Sequence, residues 1–82
     1  MKVFLSRKVK RALDATPAEM RKRLEEKISE LLVAPYPTGC RKLRGALRAY
    51  RLRVGGYRIL YVVVSDEEIL VFKIARRETA YQ

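Results

Sequence analysis

Residues 50–61 constrain the fold more than any other segment, because they encode a β-hairpin together with its register. Apolar and basic residues alternate with period two before Gly55–Gly56, which is the pattern of a half-buried strand, and a second apolar run follows the two glycines. A two-residue hairpin turn favours glycine, since it needs positive φ angles. The predicted turn therefore sets Arg53 opposite Arg58 and, two steps further along, Arg51 opposite Leu60.

Strand alternation then predicts which side chains share each face of this hairpin. The apolar face, which we expect to contact the helices, consists of Tyr50, Leu52, Val54, Tyr57, Ile59, Tyr61 and Val63. The opposite, outer face carries an arginine cluster, defined here as Arg51, Arg53 and Arg58. Like charges directly opposite each other destabilise an antiparallel pair by up to about 1 kcal/mol, so this arrangement favours a site where an anion relieves the repulsion. Exposed arginines without a ligand are the plainer alternative.

The rest of the chain predicts two helices and two more strands. Ser6 can cap a first helix, and Thr16–Glu19 has the spacing of a capping box. The second helix carries an apolar stripe formed by Met20, Leu24, Ile28, Leu31 and Leu32, and prolines follow it. The predicted segments are a strand at 3–5, a helix after Ser6, a helix at 17–33, a mostly irregular connection at 36–49, and strands at 50–54, 57–64 and 68–75. This β-α-α-β-β-β order predicts one α+β domain over residues 1–82, with a helical hairpin on one face of a small, mainly antiparallel sheet.

The last strand is expected to add basic and apolar residues to the outer face. Its C-terminal end should run back past Arg58 and bring Arg76 or Arg77 alongside the arginine cluster, with Tyr81 shortly beyond. Lys73 should lie opposite Leu60. An apolar end to the same face is predicted from Val62, Val64, Ile69 and Val71, and such a patch usually marks an interface, here one suited to an acidic amphipathic partner.

The charge distribution points to a polyanionic partner. The 82 residues carry a net charge of +10, and no acidic residue occurs between Leu31 and Ser65. That window holds the basic residues Arg41, Lys42, Arg44, Arg48, Arg51, Arg53 and Arg58. Nucleic acid is the simplest partner for such a field, while an acidic protein or an anionic membrane surface would also be attracted.

The residue types exclude several kinds of chemistry. The chain has no histidine, and its single cysteine, Cys40, allows neither an internal disulfide nor a multi-cysteine metal site. The carboxylates form no paired or metal-binding pattern, so we expect no metal and no cofactor. We find no signal-peptide pattern and no membrane-spanning run, which makes the cytoplasm the expected compartment. Cleavage of RNA by its own 2′-hydroxyl is compatible with the residue types that are present, because this reaction needs positioning, charge stabilisation and proton transfer.

Three motifs, in this order, resemble RelE-type toxins of the RelE/ParE superfamily: KLRG at 42–45, YRLRVGGYRILY at 50–61 and RRETAY at 76–81. The resemblance implies the RelE fold and a messenger-RNA interferase that cuts the codon in the ribosomal A site and is inhibited by a RelB-like antitoxin. It implies that Arg51 and Arg53 grip the RNA backbone and that Arg58 stabilises the phosphate. Arg77 would neutralise the leaving group and Tyr81 would be the general base. Arg76 would be a further RNA-binding residue, and ribosomal RNA would be contacted by Arg41, Lys42, Arg44 and Arg48.

Two other functions are compatible with the same sequence. ParE-type toxins share the fold and poison DNA gyrase without using this cleavage site. A non-catalytic RNA-binding module would use the same positive charge without turnover.

Overall fold

The structure is a computed structural model that describes residues 1–45 and 48–76, and its secondary structure follows the predicted order with one added strand. The helices and strands are β1 (Lys2–Leu5), α1 (Arg7–Asp14), α2 (Ala18–Val33), β2 (Arg41–Lys42), β3 (Ala49–Val54), β4 (Tyr57–Ser65) and β5 (Glu68–Arg76). The strands form one sheet in the order β1-β5-β4-β3-β2, in which β1 is parallel to β5 and the other neighbours are antiparallel. The prediction of two helices on a mainly antiparallel sheet is confirmed.

The core lies between the two helices and one face of the sheet. The helices contribute Val9, Leu13, Leu24, Ile28 and Leu31, and β3 and β4 contribute Leu52, Val54, Ile59, Tyr61 and Val63, as the hairpin register predicts. Leu32 is an exception to the predicted stripe, because half of its surface (50%) is exposed. Tyr61 is fully buried, yet its hydroxyl is satisfied because it donates a hydrogen bond to the Pro35 carbonyl at 2.8 Å.

The two helix starts differ from each other. Ser6 caps α1 as predicted, since its Oγ accepts a hydrogen bond from the Val9 N–H at 3.2 Å. The capping box predicted for α2 is wrong. The Thr16 hydroxyl instead donates to the Ala12 carbonyl at 2.6 Å, and Pro17 takes the N-cap position without a side-chain hydrogen bond. The hydroxyl is thus engaged with the last turn of α1 and does not reach the first turn of α2.

A β-bulge changes the predicted faces of β5. Leu60 pairs with Lys73 and Tyr61 pairs with Val71, so Phe72 is an extra residue in the ladder. Strict alternation would put Val71 on the same face as Lys73, but the extra residue turns it to the core. The prediction that Ile69 and Val71 lie on the outer face is therefore wrong, since both are fully buried against the helices.

An apolar row does cross the outer face, and it keeps the predicted Val62 and Val64 while its other members differ. The pairing of four strands aligns Phe4, Leu70, Val62 and Ala49, in that order across β1, β5, β4 and β3. Phe4 is 49% exposed, and the predicted Val64 is exposed beside this row. We call this set, with Val64, the outer apolar row.

The connection at 36–49, predicted to be mostly irregular, contains a short strand. In β2, Arg41 pairs with Arg51 and Lys42 pairs with Tyr50. The predicted loop is thus partly wrong, because two residues of it extend the sheet beyond β3. A further backbone hydrogen bond, from the Leu43 N–H to the Ala49 carbonyl at 2.8 Å, continues this pairing.

The β3–β4 turn is held against α2 at Gly55. Gly55 has a φ of +59°, whereas Gly56 does not lie in the left-handed region, a pattern that matches a type II′ turn. A Cβ on Gly55 would lie 3.1 Å from Met20 Cε, which is tighter than ordinary contacts, and a Cβ on Gly56 would meet nothing within 4 Å. Glycine at position 55 therefore serves both the turn and the close approach of the helix.

We expect Gly55→Ala to lower the free energy of unfolding by about 2 kcal/mol, because an L side chain is strained at this φ and crowds Met20. Gly56→Ala is the matched control and should change it by less than about 0.5 kcal/mol. Urea denaturation of both variants measures the difference. Equal effects at the two positions would contradict the account given for Gly55.

Candidate functional site

The pairing of β2, β3 and β4 brings two pairs of arginines together on the outer face. Arg53 pairs with Arg58 across β3 and β4, as predicted, and Arg41 of β2 pairs with Arg51 of β3. These side chains surround one open cleft of about 680 Å³. Its walls are Gly39, Arg41, Arg51, Arg53, Gly55 and Arg58, and we call it the arginine cleft. Guanidinium groups from three neighbouring strands thus converge on a shared space.

The four arginines differ in how firmly they are held. Arg58 is buried, with only 7% of its surface exposed, whereas Arg41 and Arg53 are exposed and Arg51 is intermediate. In the part of the chain that the structure describes, no buried side-chain nitrogen or oxygen lacks a hydrogen-bond partner. Packing therefore fixes the position of Arg58, while Arg41 and Arg53 keep the freedom of surface side chains.

Among the described residues, no acid is paired with Arg41, Arg51 or Arg53. Over residues 1–45 and 48–76, no carboxylate comes within 4.0 Å of the side-chain nitrogens of Arg41, Arg51 or Arg53. Repulsion between like charges at this spacing is reduced when an anion binds among them. Arginine suits a phosphate because its planar fork donates two parallel hydrogen bonds and stays protonated.

Arg76 lies on the other side of the sheet from the cleft. It pairs with Tyr57, whose ring centroid is 5.7 Å from the Arg76 Cζ, and it lines a groove with Ala12 and Thr16 next to the helices. Of the two residues expected beside the arginine cluster, Arg76 or Arg77, Arg76 is not the one, and Arg77 lies outside the described residues. The reason is alternation: Ala75 is the residue that pairs with Arg58, so the next residue faces the helices.

Three other predicted basic residues, Lys42, Arg44 and Arg48, do not line the cleft. Lys42 is exposed on β2 but follows Arg41, so it points to the opposite face. Arg44 and Arg48 are exposed in the connection between β2 and β3, and Arg48 has a left-handed φ of +59°. Arg77 and Tyr81 lie outside the described residues.

Sequence reasoning missed two features of the cleft. Arg41 was expected to contact ribosomal RNA only, but its pairing with Arg51 brings it into the cleft wall. Arg41 and Lys42 are both basic, so no alternation in the sequence signalled this short strand. Gly39, at φ +93°, forms another part of the wall, and nothing in the local sequence indicated that it would.

The described tyrosines with shifted pKa values are poorly suited to act as bases. Burial raises the pKa of Tyr61 far above its ordinary value. Desolvation, followed by a hydrogen bond with Tyr50, also raises the pKa of Tyr36. Both shifts favour the neutral phenol and so oppose proton abstraction near neutral pH.

The described residues contain neither a cluster of metal-ligating side chains nor a membrane-spanning helix. No group of three or more histidine, cysteine or acidic residues is arranged to hold a metal ion. None of the helices found there has the length and hydropathy needed to span a bilayer.

Known proteins that are similar to this chain in sequence are toxins. The family model for the ParE toxin of type II toxin–antitoxin systems matches residues 3–81. A Methanocaldococcus jannaschii protein named RelE1 is 34% identical over 84 aligned residues, which cover 98% of this chain and 93% of the relative.

Solved structures share the fold. The archaeal RelE–RelB complex from Pyrococcus horikoshii matches with a TM-score of 0.81 at 30% identity, over 93% of each chain. The isolated Escherichia coli RelE toxin matches with a TM-score of 0.79 at 22% identity, over 92% of this chain and 82% of that one. Because the family model covers nearly the whole sequence and the archaeal relatives reach 30% identity or more, the chain belongs to the ParE toxin family of the RelE/ParE superfamily and is a toxin of the type II toxin–antitoxin class.

Proposed function

We propose that this toxin is an endoribonuclease that cleaves messenger RNA in the ribosomal A site. The observation that carries the proposal is the convergence of Arg41, Arg51, Arg53 and Arg58 on one cleft of the outer face. Such a cleft fits the sugar-phosphate backbone of a single strand. A toxin acting on ribosomes would work in the cytoplasm.

The proposed reaction uses a nucleophile supplied by the RNA. The 2′-hydroxyl attacks the adjacent phosphorus, a bond forms between them, and the bond from phosphorus to the 5′-oxygen of the next nucleotide breaks. A base removes the proton of the 2′-hydroxyl, and the departing 5′-oxygen gains a proton. The protein holds the three reacting atoms in line and stabilises the extra negative charge on the phosphate oxygens.

Arg58 is the best candidate for stabilising that charge. It is the buried member of the cleft, so its guanidinium needs little reorganisation when the transition state forms. Arg51 and Arg53 would hold the flanking backbone, and Arg41 would join them from β2. These less buried side chains contribute mainly to affinity, which should fall as salt concentration rises.

Proton transfer is assigned by the family resemblance alone. Tyr81 would be the base and Arg77 would neutralise the leaving group, and both lie outside the described residues. The raised pKa values of Tyr36 and Tyr61 are consistent with a base that comes from elsewhere in the chain. Arg44 and Arg48, exposed beside β2, remain candidates for contacts with ribosomal RNA, as does Lys42.

Inhibition of DNA gyrase is the second candidate, and the matching ParE family model is the observation that favours it. A translating-ribosome assay separates the candidates. We expect cuts in the message at the A site that depend on ribosomes, together with unchanged gyrase supercoiling activity. Intact message with inhibited gyrase would overturn the nuclease proposal in favour of the second candidate. Tight RNA binding without cleavage would instead favour a non-catalytic module.

A chemical role for Arg58 predicts a loss of rate and not of binding. We expect Arg58→Lys to reduce single-turnover cleavage on ribosomes about a hundredfold or more, because lysine keeps the charge but lacks the planar fork. Ribosome affinity should change much less. The matched control is Arg53→Lys, which alters the exposed partner across the hairpin and should reduce the rate far less.

A thermal unfolding curve of Arg58→Lys verifies that the variant is folded before its rate is compared. If both variants lower the rate and the affinity by the same factor, Arg58 is only a binding residue.

An antitoxin partner is proposed for the outer apolar row. The similar structures include RelE bound to the antitoxin RelB, from Pyrococcus horikoshii among others. In this chain, exposed Phe4 and Val64 lie on the same face as the arginine cleft. An acidic, amphipathic RelB-like segment would cover the apolar side chains and neutralise the arginines together.

We expect the cognate antitoxin, at a hundred times its dissociation constant, to raise the thermal midpoint by roughly 10–20 °C. Phe4→Ser should weaken the complex about fivefold, since half of a phenylalanine surface is lost from the interface. The control is Val33→Ser, at an 87% exposed apolar residue at the end of α2. An unchanged midpoint, or equal losses for the two variants, would contradict this interface.

A further inference from the structure

Arg23 of α2 lies against the β3–β4 turn, at the border of the arginine cleft. Its Nη1 and Nη2 atoms are 3.4 and 3.7 Å from the position that a Cβ would take on Gly55. Gly55 is also part of the cleft wall. One small residue therefore separates the Arg23 guanidinium from the space that the other arginines enclose.

The position of Arg23 is not explained by ion pairing within its helix. Glu19 and Glu26 lie four residues before and three residues after it, which is the spacing at which opposite charges pair on a helix. Nevertheless, no carboxylate of the described ranges comes within 4.0 Å of the Arg23 side-chain nitrogens. Lys27 and Glu30 of the same helix do pair, at 3.1 Å.

The turn is open to a strand that crosses it. Neither of its residues carries a side chain, and a Cβ on Gly56 would find no atom within 4 Å. Gly55 is two residues beyond Arg53, a separation of about 7 Å along an extended strand. An extended nucleotide covers a distance of this size, so a backbone held by Arg53 could present its next phosphate near the turn.

We propose that Arg23 binds a second phosphate of the same RNA strand, one step outside the cleft, as the strand passes over Gly55–Gly56. The inference rests on the proposed function, because it takes the occupant of the cleft to be RNA. On its other side, Arg23 lines a second groove together with Lys22 and the carboxylates Glu19 and Glu26. The carboxylates limit the subsite to one phosphate.

The subsite predicts an effect that depends on the length of the RNA. The probes are a labelled RNA trinucleotide and a labelled RNA octanucleotide, both with 2′-O-methyl sugars so that no cleavage occurs, and binding is followed by fluorescence anisotropy. Arg23→Ala should weaken the octanucleotide about five- to tenfold and leave the trinucleotide unchanged. For the octanucleotide, the plot of log affinity against log salt concentration should become less steep by about 0.7.

Lys22→Ala is the matched control, because it removes one charge from the neighbouring exposed position, which lines the same groove. It should change octanucleotide binding by less than twofold. Arg23→Lys should keep the salt slope of the unaltered protein, since the charge remains.

Equal losses for Arg23→Ala and Lys22→Ala would overturn the subsite, because they would show only a general effect of charge. So would the same loss for both probes. In either case the proposed function would stand, since the unaltered protein would still bind RNA. Failure of the unaltered protein to bind either probe at low salt would instead overturn both the subsite and the use of the cleft for RNA.

Discussion

The pairing of β3 with β4 is the interaction on which the site depends. A two-residue turn fixes its register, and the register sets Arg53 directly opposite Arg58 with Arg51 on the same face. The same pairing directs Leu52, Ile59 and Tyr61 into the core, so the arginines cannot shift without moving buried residues to solvent. The free energy of core packing thus holds these like charges together on one face, where an anion would be attracted.

The sequence predicted this hairpin well because all the information is local. Alternation and two adjacent glycines determine its register without reference to the rest of the chain. The face of β5 was not predictable in the same way, since the bulge at Phe72 interrupts alternation without any glycine or proline to signal it. Ile69 and Val71 consequently lie in the core and not on the expected outer face. Phe4 and Leu70 are instead part of the outer apolar row.

The candidate site shows the same division between local and non-local information. The shared face of Arg51, Arg53 and Arg58 follows from one hairpin, and the structure confirms it. The contribution of Arg41 depends on a two-residue strand at the sheet edge, and that of Arg23 depends on how a helix packs on a turn. Neither the pairing of this short strand nor the packing of the helix on the turn produces a periodic pattern in the sequence. Arg76, one of the two residues expected beside the cluster, faces the helices because one residue along a strand reverses the face.

The cleft combines one fixed cation with several adjustable ones, and the two kinds are suited to different tasks. A buried guanidinium such as that of Arg58 can stabilise charge that develops at one position, because its orientation is set before the substrate arrives. Exposed side chains such as Arg41 and Arg53 can follow a flexible strand, but they lose side-chain entropy when they do so, and salt screens them. Affinity for a polyanion can therefore vary with conditions while the geometry around Arg58 stays constant. A partner that only screens the exposed arginines would weaken the binding of a polyanion. A partner that also covers the outer apolar row would block access to the whole outer face, including the cleft that Arg58 lines.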